Sequence, residues 1–130
     1  MASVVVLDTG ALGTLADPRR RHRLRALAEQ VAAGRVDLIV PAIVLTETLT
    51  GRPHDAPANR LLKTVAIVDI DEHLARAGAS LRYRARTGSA VDAVVAATAI
   101  GYERAVVLTS DPNDLSALLA DRPTVVVEAV

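Results

Sequence analysis

The most constraining feature of this sequence is a set of short apolar runs, rich in β-branched residues, that do not alternate with polar ones. These runs lie at 3–7, 37–40, 65–70, 105–108 and 125–128. Strands that are buried on both faces have this pattern, because neither face needs polar side chains. Segments with helical features separate the runs, so consecutive strands need right-handed crossovers. The pattern predicts a three-layer α/β/α sandwich around a mainly parallel five-stranded sheet.

The composition narrows the class of protein. The 130 residues are 51% hydrophobic, which predicts one folded domain spanning 1–130 and excludes a disordered chain. The two aromatic residues are Tyr83 and Tyr102, too few for the stacking platforms with which many proteins bind single-stranded nucleic acids. The absence of Cys excludes thiolate metal sites and fits a reducing cytoplasm. No apolar run reaches the roughly 18 residues of a membrane span, so we expect no membrane partner.

Helical spacing and stop signals locate the crossovers. Leu24, Leu27 and Val31 recur at helical spacing, and Gly34 predicts the end of that helix. Further helices are predicted to run from Pro41 to Gly51, from 71 to 86, from 89 to about 103 and from 111 to 120. A turn is predicted at 8–10 and a loop at 52–57.

Acidic residues recur near the ends of the predicted strands. Asp8 follows the first strand, and Asp111 follows the fourth. Glu47 lies in the helix after the second strand, and Asp92 lies near the start of the helix that leads to the fourth. Because ligands of such sheets bind beyond the carboxyl ends of the strands, these four carboxylates are candidates for one site.

Each of these carboxylates also has a purely structural explanation. Asp8 fits a turn, and Ser89 with Asp92 fits a capping box. Asp111 before Pro112 fits a helix N-cap. Glu47, taken alone, fits a solvated position on a helix.

The surroundings of the carboxylates favour a site. Asp92 is the only charged residue in 91–100, which is otherwise apolar nearly all round and therefore typical of a buried helix. Glu47 likewise lies in a helix with little polar surface. Two carboxylates 4 Å apart repel by about 4 kcal/mol at an effective dielectric constant near 20, so a cluster needs a cation. Oxygen donors without Cys or clustered His favour Mg²⁺ or Mn²⁺ over zinc, and such sites serve phosphodiester hydrolysis.

Four segments in order resemble the PIN-domain ribonucleases, most closely the VapC-type toxins of bacterial type II toxin–antitoxin pairs. They are VVLDTGAL at 5–12, VLTE at 44–47, VDAVVAATA at 91–99 and VLTSDPNDL at 107–115. No single segment is specific, but their order and spacing span nearly the whole chain. The chain departs mildly at Leu115, where many relatives have an aromatic residue, and we expect this to affect packing rather than chemistry.

The resemblance implies a Mg²⁺- or Mn²⁺-dependent endoribonuclease that acts as a toxin. By motif, the catalytic and metal-binding residues are Asp8, Glu47, Asp92 and Asp111. Secondary residues are Thr109 or Ser110, which would orient water or phosphate, and Asp114. The family also implies an RNA substrate, a homodimer and inhibition by a cognate antitoxin protein.

Arginines supply fourteen of the fifteen Lys and Arg residues, and many of them cluster within 19–25. A basic segment near an acidic site suits RNA phosphates. The predicted RNA-binding residues are Arg19, Arg20, Arg23 and Arg86. The alternative is a solvated amphipathic helix whose apolar face carries Leu24, Leu27 and Val31.

Two other classes of function compete with the nuclease. Phosphotransfer on an aspartate at the end of the first strand is disfavoured, because Gly10 stands where a second Asp of an Asp-x-Asp loop is needed. A PIN-like module that binds RNA or a partner without cleaving it stays open. The effect of Asp92→Asn on RNA cleavage separates that module from the nuclease.

Overall fold

The computed structural model describes residues 2–130, apart from the side chain of Arg21. The strands are β1 (Ser3–Leu7), β2 (Val36–Pro41), β3 (Ala66–Val68), β4 (Ala105–Thr109) and β5 (Val125–Ala129). The helices are α1 (Thr9–Ala16), α2 (Arg21–Ala32), α3 (Ala42–Thr48), α4 (Ala56–Leu62), α5 (Glu72–Ala85), α6 (Ala90–Ile100) and α7 (Pro112–Leu118). Short 3₁₀ turns at Pro18–Arg20 and Pro53–Asp55 precede α2 and α4.

The five strands form one parallel sheet in the order β3-β2-β1-β4-β5. In the central strand, Val5 pairs with Leu38 of β2 and with Val106 of β4. Val6 and Leu7 are fully buried, as a strand covered on both faces requires. The predicted α/β architecture with a parallel five-stranded sheet is confirmed.

The chain order reverses at the centre of this sheet. From β1 the chain moves outward through β2 to β3, then returns to place β4 on the other side of β1. The carboxyl ends of β1 and β4 therefore lie side by side. The segment after β1 leads to β2 on one side, and the segment after β4 leads to β5 on the other. This is the point at which parallel α/β sheets form a ligand-binding crevice.

Helix α6 forms the buried layer next to the central strands. It contacts β1, β2 and β4, and its residues 93–99 are all buried. Gly78 of α5 lies against its backbone, where an added Cβ would come within 3.4 Å of the carbonyl of Ala93. The expectation that 91–100 forms a buried apolar helix is confirmed. Among the helices that the structure describes, none combines the length and the apolar character needed to cross a bilayer.

Several local predictions are wrong. The turn predicted at 8–10 is the first turn of α1, which packs because Ala11, Leu12 and Leu15 are buried. The loop predicted at 52–57 contains a 3₁₀ turn and the start of α4. Helix α3 ends at Thr48 instead of Gly51, and Pro41 ends β2 and caps α3 instead of starting it.

The segment between α3 and α4 is organised by the buried carboxylate of Asp55. Its oxygens accept hydrogen bonds from the Thr50 and Gly51 N–H groups at 2.9 and 2.8 Å, and from the Thr50 hydroxyl at 2.8 Å. Hydrogen bonds hold the pKa of Asp55 below its usual value. The bond from the Thr50 N–H contributes most, and those from the Thr50 hydroxyl and the Gly51 N–H contribute less. Its ionised form therefore stabilises the fold.

We expect Asp55→Asn to lower the free energy of unfolding at pH 7, with a loss that shrinks on acidification. Because the pKa of Asp55 is lower in the folded state, its stabilisation is complete above the pKa of the unfolded chain. It disappears as the pH falls through the lower folded-state pKa. Urea unfolding of both proteins at pH 7 and near pH 3 measures the difference. Asp69→Asn, at an exposed carboxylate, is the control, and a pH-independent loss in Asp55→Asn would contradict this interpretation.

Candidate functional site

Three of the predicted carboxylates meet at the carboxyl edge of the sheet. Asp8 follows β1, Asp111 follows β4 after Ser110, and Asp92 lies in the first turn of α6. Only 6% of Asp8 is exposed, and this burial is the main cause that raises its pKa above the usual value. Hydrogen bonds from Thr109 and the Ala11 N–H oppose the rise, while the charges of Asp92 and Asp111 add to it. Asp92 and Asp111 therefore both lie close enough to Asp8 for their charges to act on it.

Each of the three carboxylates also caps a helix. Asp8 Oδ1 accepts from the Ala11 N–H at 2.7 Å and begins α1. Asp111 caps α7, accepting from the Asn113 N–H at 3.4 Å. Asp92 forms a capping box with Ser89, in which its N–H donates to the Ser89 hydroxyl at 3.0 Å and its Oδ2 accepts from the Ser89 N–H at 3.5 Å. The structural and functional explanations are thus compatible, because the caps use one carboxylate oxygen of each residue.

Glu47 reaches the same edge from α3. The Thr9 hydroxyl donates to Glu47 Oε1 at 2.7 Å, which ties this carboxylate to the residue after Asp8. Glu47 is exposed, as in the solvated helix position that was its structural explanation, although its helix has little polar surface. Its position at the rim leaves it accessible to solvent and to a ligand.

The turns that carry Asp8 and Asp111 are in direct contact. A Cβ added to Gly10 would lie 1.8 Å from Ser110 Oγ and 2.8 Å from Ser110 Cβ, so only glycine fits without displacement. Thr109 is fully buried, and its hydroxyl accepts from the Asp111 N–H at 3.0 Å. Thr109 therefore shapes the turn, while the exposed Ser110 is free to face a ligand.

Asp114 has a different hydrogen-bond partner from the other carboxylates. The Thr87 hydroxyl, in the α5–α6 connection, donates to Asp114 Oδ1 at 3.0 Å. Leu115, the next residue, is buried and contributes to the core.

The donor set is suited to a hydrated divalent cation. Asp8, Asp92 and Asp111 offer only carboxylate oxygens, which Mg²⁺ and Mn²⁺ prefer. Within residues 2–130, no three His, Asp or Glu side chains are arranged tightly enough to chelate one ion together. Mg²⁺ commonly keeps several waters and binds through one or two carboxylates plus substrate phosphate. The arrangement fits that mode and not a closed protein cage.

The four predicted RNA-binding arginines lie in two places. Arg19 and Arg20 lie at the end of the 3₁₀ turn that follows α1. Helix α1 begins beside Asp8, and its eight residues span about 12 Å along the helix axis. Arg19 pairs with Asp17 at 2.9 Å, and Arg23 is exposed on α2. Arg86 is exposed in the α5–α6 connection, three residues before the capping box that holds Asp92.

Sequence reasoning missed three residues that organise the site. The hydroxyls of Thr9 and Thr87 donate hydrogen bonds to acidic side chains that are distant in sequence, and no local sequence pattern predicts such pairs. Gly10 was predicted only as part of a turn, whereas its lack of a side chain allows the two turns to touch.

Comparisons with known proteins agree on the fold. The model of the PIN domain family matches residues 5–118. The structure is similar to VapBC2 from Rickettsia felis bound to a DNA fragment from its promoter, at TM-score 0.71 and 16% identity over 97% of this chain and 98% of the other. It is also similar to FitAcB from Neisseria gonorrhoeae, at TM-score 0.67 and 24% identity over 95% of each chain. A toxin–antitoxin complex from Klebsiella pneumoniae matches at TM-score 0.63 and 25% identity over 94% and 95%. Comparison with curated protein sequences gives no match.

We expect Gly10→Ala to destabilise the fold by about 1–3 kcal/mol, because the added methyl group pushes the two turns apart. Gly13→Ala is the matched control, since it lies in the same helix with no atom within 4 Å of its added Cβ. It should stabilise by about 0.5–1 kcal/mol. Urea unfolding of both variants tests the contact. Equal effects of the two substitutions would show that the turns do not touch.

We expect Asp8→Asn to raise the free energy of unfolding at pH 7 by about 0.5–2 kcal/mol. Asn still caps α1 but removes a buried, repelled charge. Because the pKa of Asp8 is raised by folding, its ionised form destabilises the fold above that pKa, and the gain should fade as the pH is lowered. Asp8→Ala, which also loses the cap, should be about 1 kcal/mol less stable than Asp8→Asn. Thermal and urea unfolding measure both, and an Asn variant less stable than the wild type would contradict the repulsion.

Proposed function

Because the chain belongs to the PIN domain family, we propose that it is a Mg²⁺- or Mn²⁺-dependent endoribonuclease that acts as the toxin of a toxin–antitoxin pair. The observation that carries this proposal is the meeting of Asp8, Asp92 and Asp111 where the strand order reverses. A fold stabilised by packing alone gains nothing from mutually repelling carboxylates around a buried one. Such a cluster is expected at a site where a bound cation offsets the repulsion between the carboxylates.

In this mechanism Asp8, Asp92 and Asp111 would hold a hydrated divalent cation, partly through its bound waters, with Glu47 at the rim as a further metal-binding and catalytic residue. A divalent ion bound there would supply a lowered pKa for the attacking water and positive charge beside the scissile phosphate. Thr9 holds Glu47 at the edge through its 2.7 Å hydrogen bond. The exposed hydroxyl of Ser110, fixed beside Gly10, is placed to donate to a phosphate oxygen. Attack by water leaves a 5′-phosphate and a 3′-hydroxyl, without use of the 2′-hydroxyl.

The RNA backbone is proposed to lie along the exposed arginines. Arg86 precedes the start of α6 and is suited to a phosphate next to the cleaved bond. Arg19, Arg20 and Arg23 are suited to a more distant part of the strand, since α1 separates them from Asp8. Their contribution is electrostatic and should weaken with salt.

The proposed protein partners are a cognate antitoxin and a second copy of this chain. The similar structures include VapBC2 with promoter DNA and a toxin–antitoxin complex. An antitoxin segment with an Arg side chain would complement the acidic edge formed by Asp8, Asp92 and Asp111. It would thereby compete with the cation for the same oxygens.

A binding module without cleavage activity is the second candidate. It is favoured by the absence, among the described residues, of three acidic or His side chains close enough to chelate an ion together. It predicts RNA binding that is insensitive to Asp92→Asn.

We expect Asp92→Asn to reduce RNA cleavage by about 100-fold or more, because it removes a carboxylate charge that would hold the divalent cation. Asn retains an acceptor for the Ser89 N–H, so the capping box and the fold should persist. The measurement maps new RNA 5′-phosphate ends after expression of the wild type, the variant and the surface control Asp69→Asn. The nuclease proposal expects discrete ends with the wild type and with the control.

Two results would count against this mechanism. Ends carrying 2′,3′-cyclic phosphate would show that the 2′-hydroxyl is the nucleophile. Cleavage by purified protein that survives EDTA, or that Asp92→Asn leaves intact, would exclude the assigned metal site.

A further inference from the structure

We propose that Thr87 and Asp114 are positioning residues whose hydrogen bond sets where Asp92 lies relative to Asp8 and Asp111. Through the position of Asp92, this hydrogen bond affects how tightly the site binds a divalent cation. The inference rests on the proposed function in one respect, namely that these carboxylates bind Mg²⁺ or Mn²⁺.

The bond joins the starts of two helices that carry site residues. Thr87 lies five residues before Asp92, and Asp114 lies three residues after Asp111. The Thr87 hydroxyl donates to Asp114 Oδ1 at 3.0 Å, across 27 positions of sequence. Both residues are half-buried, so the hydrogen bond is partly shielded from water.

A second contact holds the same connection against α7. Gly88 has a φ of 88°, and a Cβ added there would lie 2.9 Å from Leu118 Cδ1. Leu118 is buried in the core. The Arg82 Nε donates to the Gly88 carbonyl at 3.1 Å, which also ties the connection to α5. Apolar packing and hydrogen bonding therefore fix the α5–α6 connection at neighbouring residues.

The position of Asp92 depends on this connection more than on its own side-chain bonds. Its hydrogen bond to the Ser89 N–H is long, at 3.5 Å, and constrains the carboxylate weakly. The buried part of α6 consists of Ala, Val and one Thr, and Gly78 of α5 faces its backbone without a side chain. Close packing of α6 fixes the helix as a body, and the contacts of the α5–α6 connection at its first turn add a restraint on where Asp92 lies.

Asp114 acts through this connection and not as a ligand. Its Oδ1 accepts the hydrogen bond of the Thr87 hydroxyl, in the connection that leads to Asp92. An acidic residue at 114 therefore serves as a strong hydrogen-bond acceptor for Thr87.

The test measures binding of Mn²⁺ to the purified full chain by calorimetry or electron paramagnetic resonance, without RNA. Thr87→Val keeps the shape of the side chain but removes the hydroxyl, and should weaken binding roughly tenfold. Thr87→Ser restores the donor and should bind within about twofold of the wild type. Thr64→Val is the matched control, since Thr64 donates to the Leu61 carbonyl in the turn after α4, away from the site, and should leave binding unchanged.

Asp114→Asn provides an independent test if Thr87→Val fails to fold. Asn keeps a carbonyl acceptor for the Thr87 hydroxyl while removing the charge, so positioning predicts binding within about threefold of the wild type. A ligand would instead lose affinity as strongly as Asp92→Asn does. Such a loss would overturn the inference, as would unchanged Mn²⁺ binding by a folded Thr87→Val protein.

Asp92→Asn separates this inference from the function on which it rests. If it abolishes Mn²⁺ binding while Thr87→Val binds normally, the metal site stands and the positioning role is refuted. If the wild type and Asp92→Asn bind Mn²⁺ equally, the assigned metal site is wrong, and the positioning role is refuted as well.

Discussion

The pairing of β1 with β4 is the constraint on which the rest of the site depends. These strands are neighbours in space but are separated in sequence by two strands and six helices. Their parallel register brings Leu7 opposite Leu108, so the residues that follow both strands leave the sheet at the same level. Gly10 and Ser110 then touch, and Asp8 and Asp111 are carried to the same edge. Without this pairing, the two carboxylates would belong to unrelated turns.

The same carboxylates meet a structural and a functional demand. Asp8, Asp92 and Asp111 each satisfy backbone N–H groups at the start of a helix, which stabilises those helices. Their proximity opposes this gain, since the charges of Asp92 and Asp111 raise the pKa of the buried Asp8. Capping alone does not require the three helix starts to meet. The repulsion is therefore a feature of the site and not of the fold.

Much of the architecture could be predicted from the sequence. The continuous apolar runs predict the parallel sheet, and the apolar residues around Asp92 predict that α6 is buried. Helices α1 and α4 escaped prediction because they are short and are stabilised by tertiary burial of residues such as Leu12 and Leu61, not by a long periodic pattern. The candidate carboxylates were identified from the strand ends and a family resemblance. The bonds from Thr9 and Thr87 to acidic partners were not, because they join residues 38 and 27 positions apart and depend on helix packing.

The caps also indicate how the spacing of the carboxylates is set. A carboxylate on a free side chain can choose among rotamers and adapt to a ligand. In Asp8 one carboxylate oxygen accepts a 2.7 Å hydrogen bond from the start of its own helix, which limits that choice, and the longer bonds of Asp92 and Asp111, at 3.5 and 3.4 Å, limit it less. The distance between any two of them therefore follows from where α1, α6 and α7 begin. Contacts that fix those helix starts, such as Gly10 against Ser110 and Thr87 with Asp114, act on the site although they contribute no ligand. The site is thus defined by the connections between elements as much as by its acidic residues.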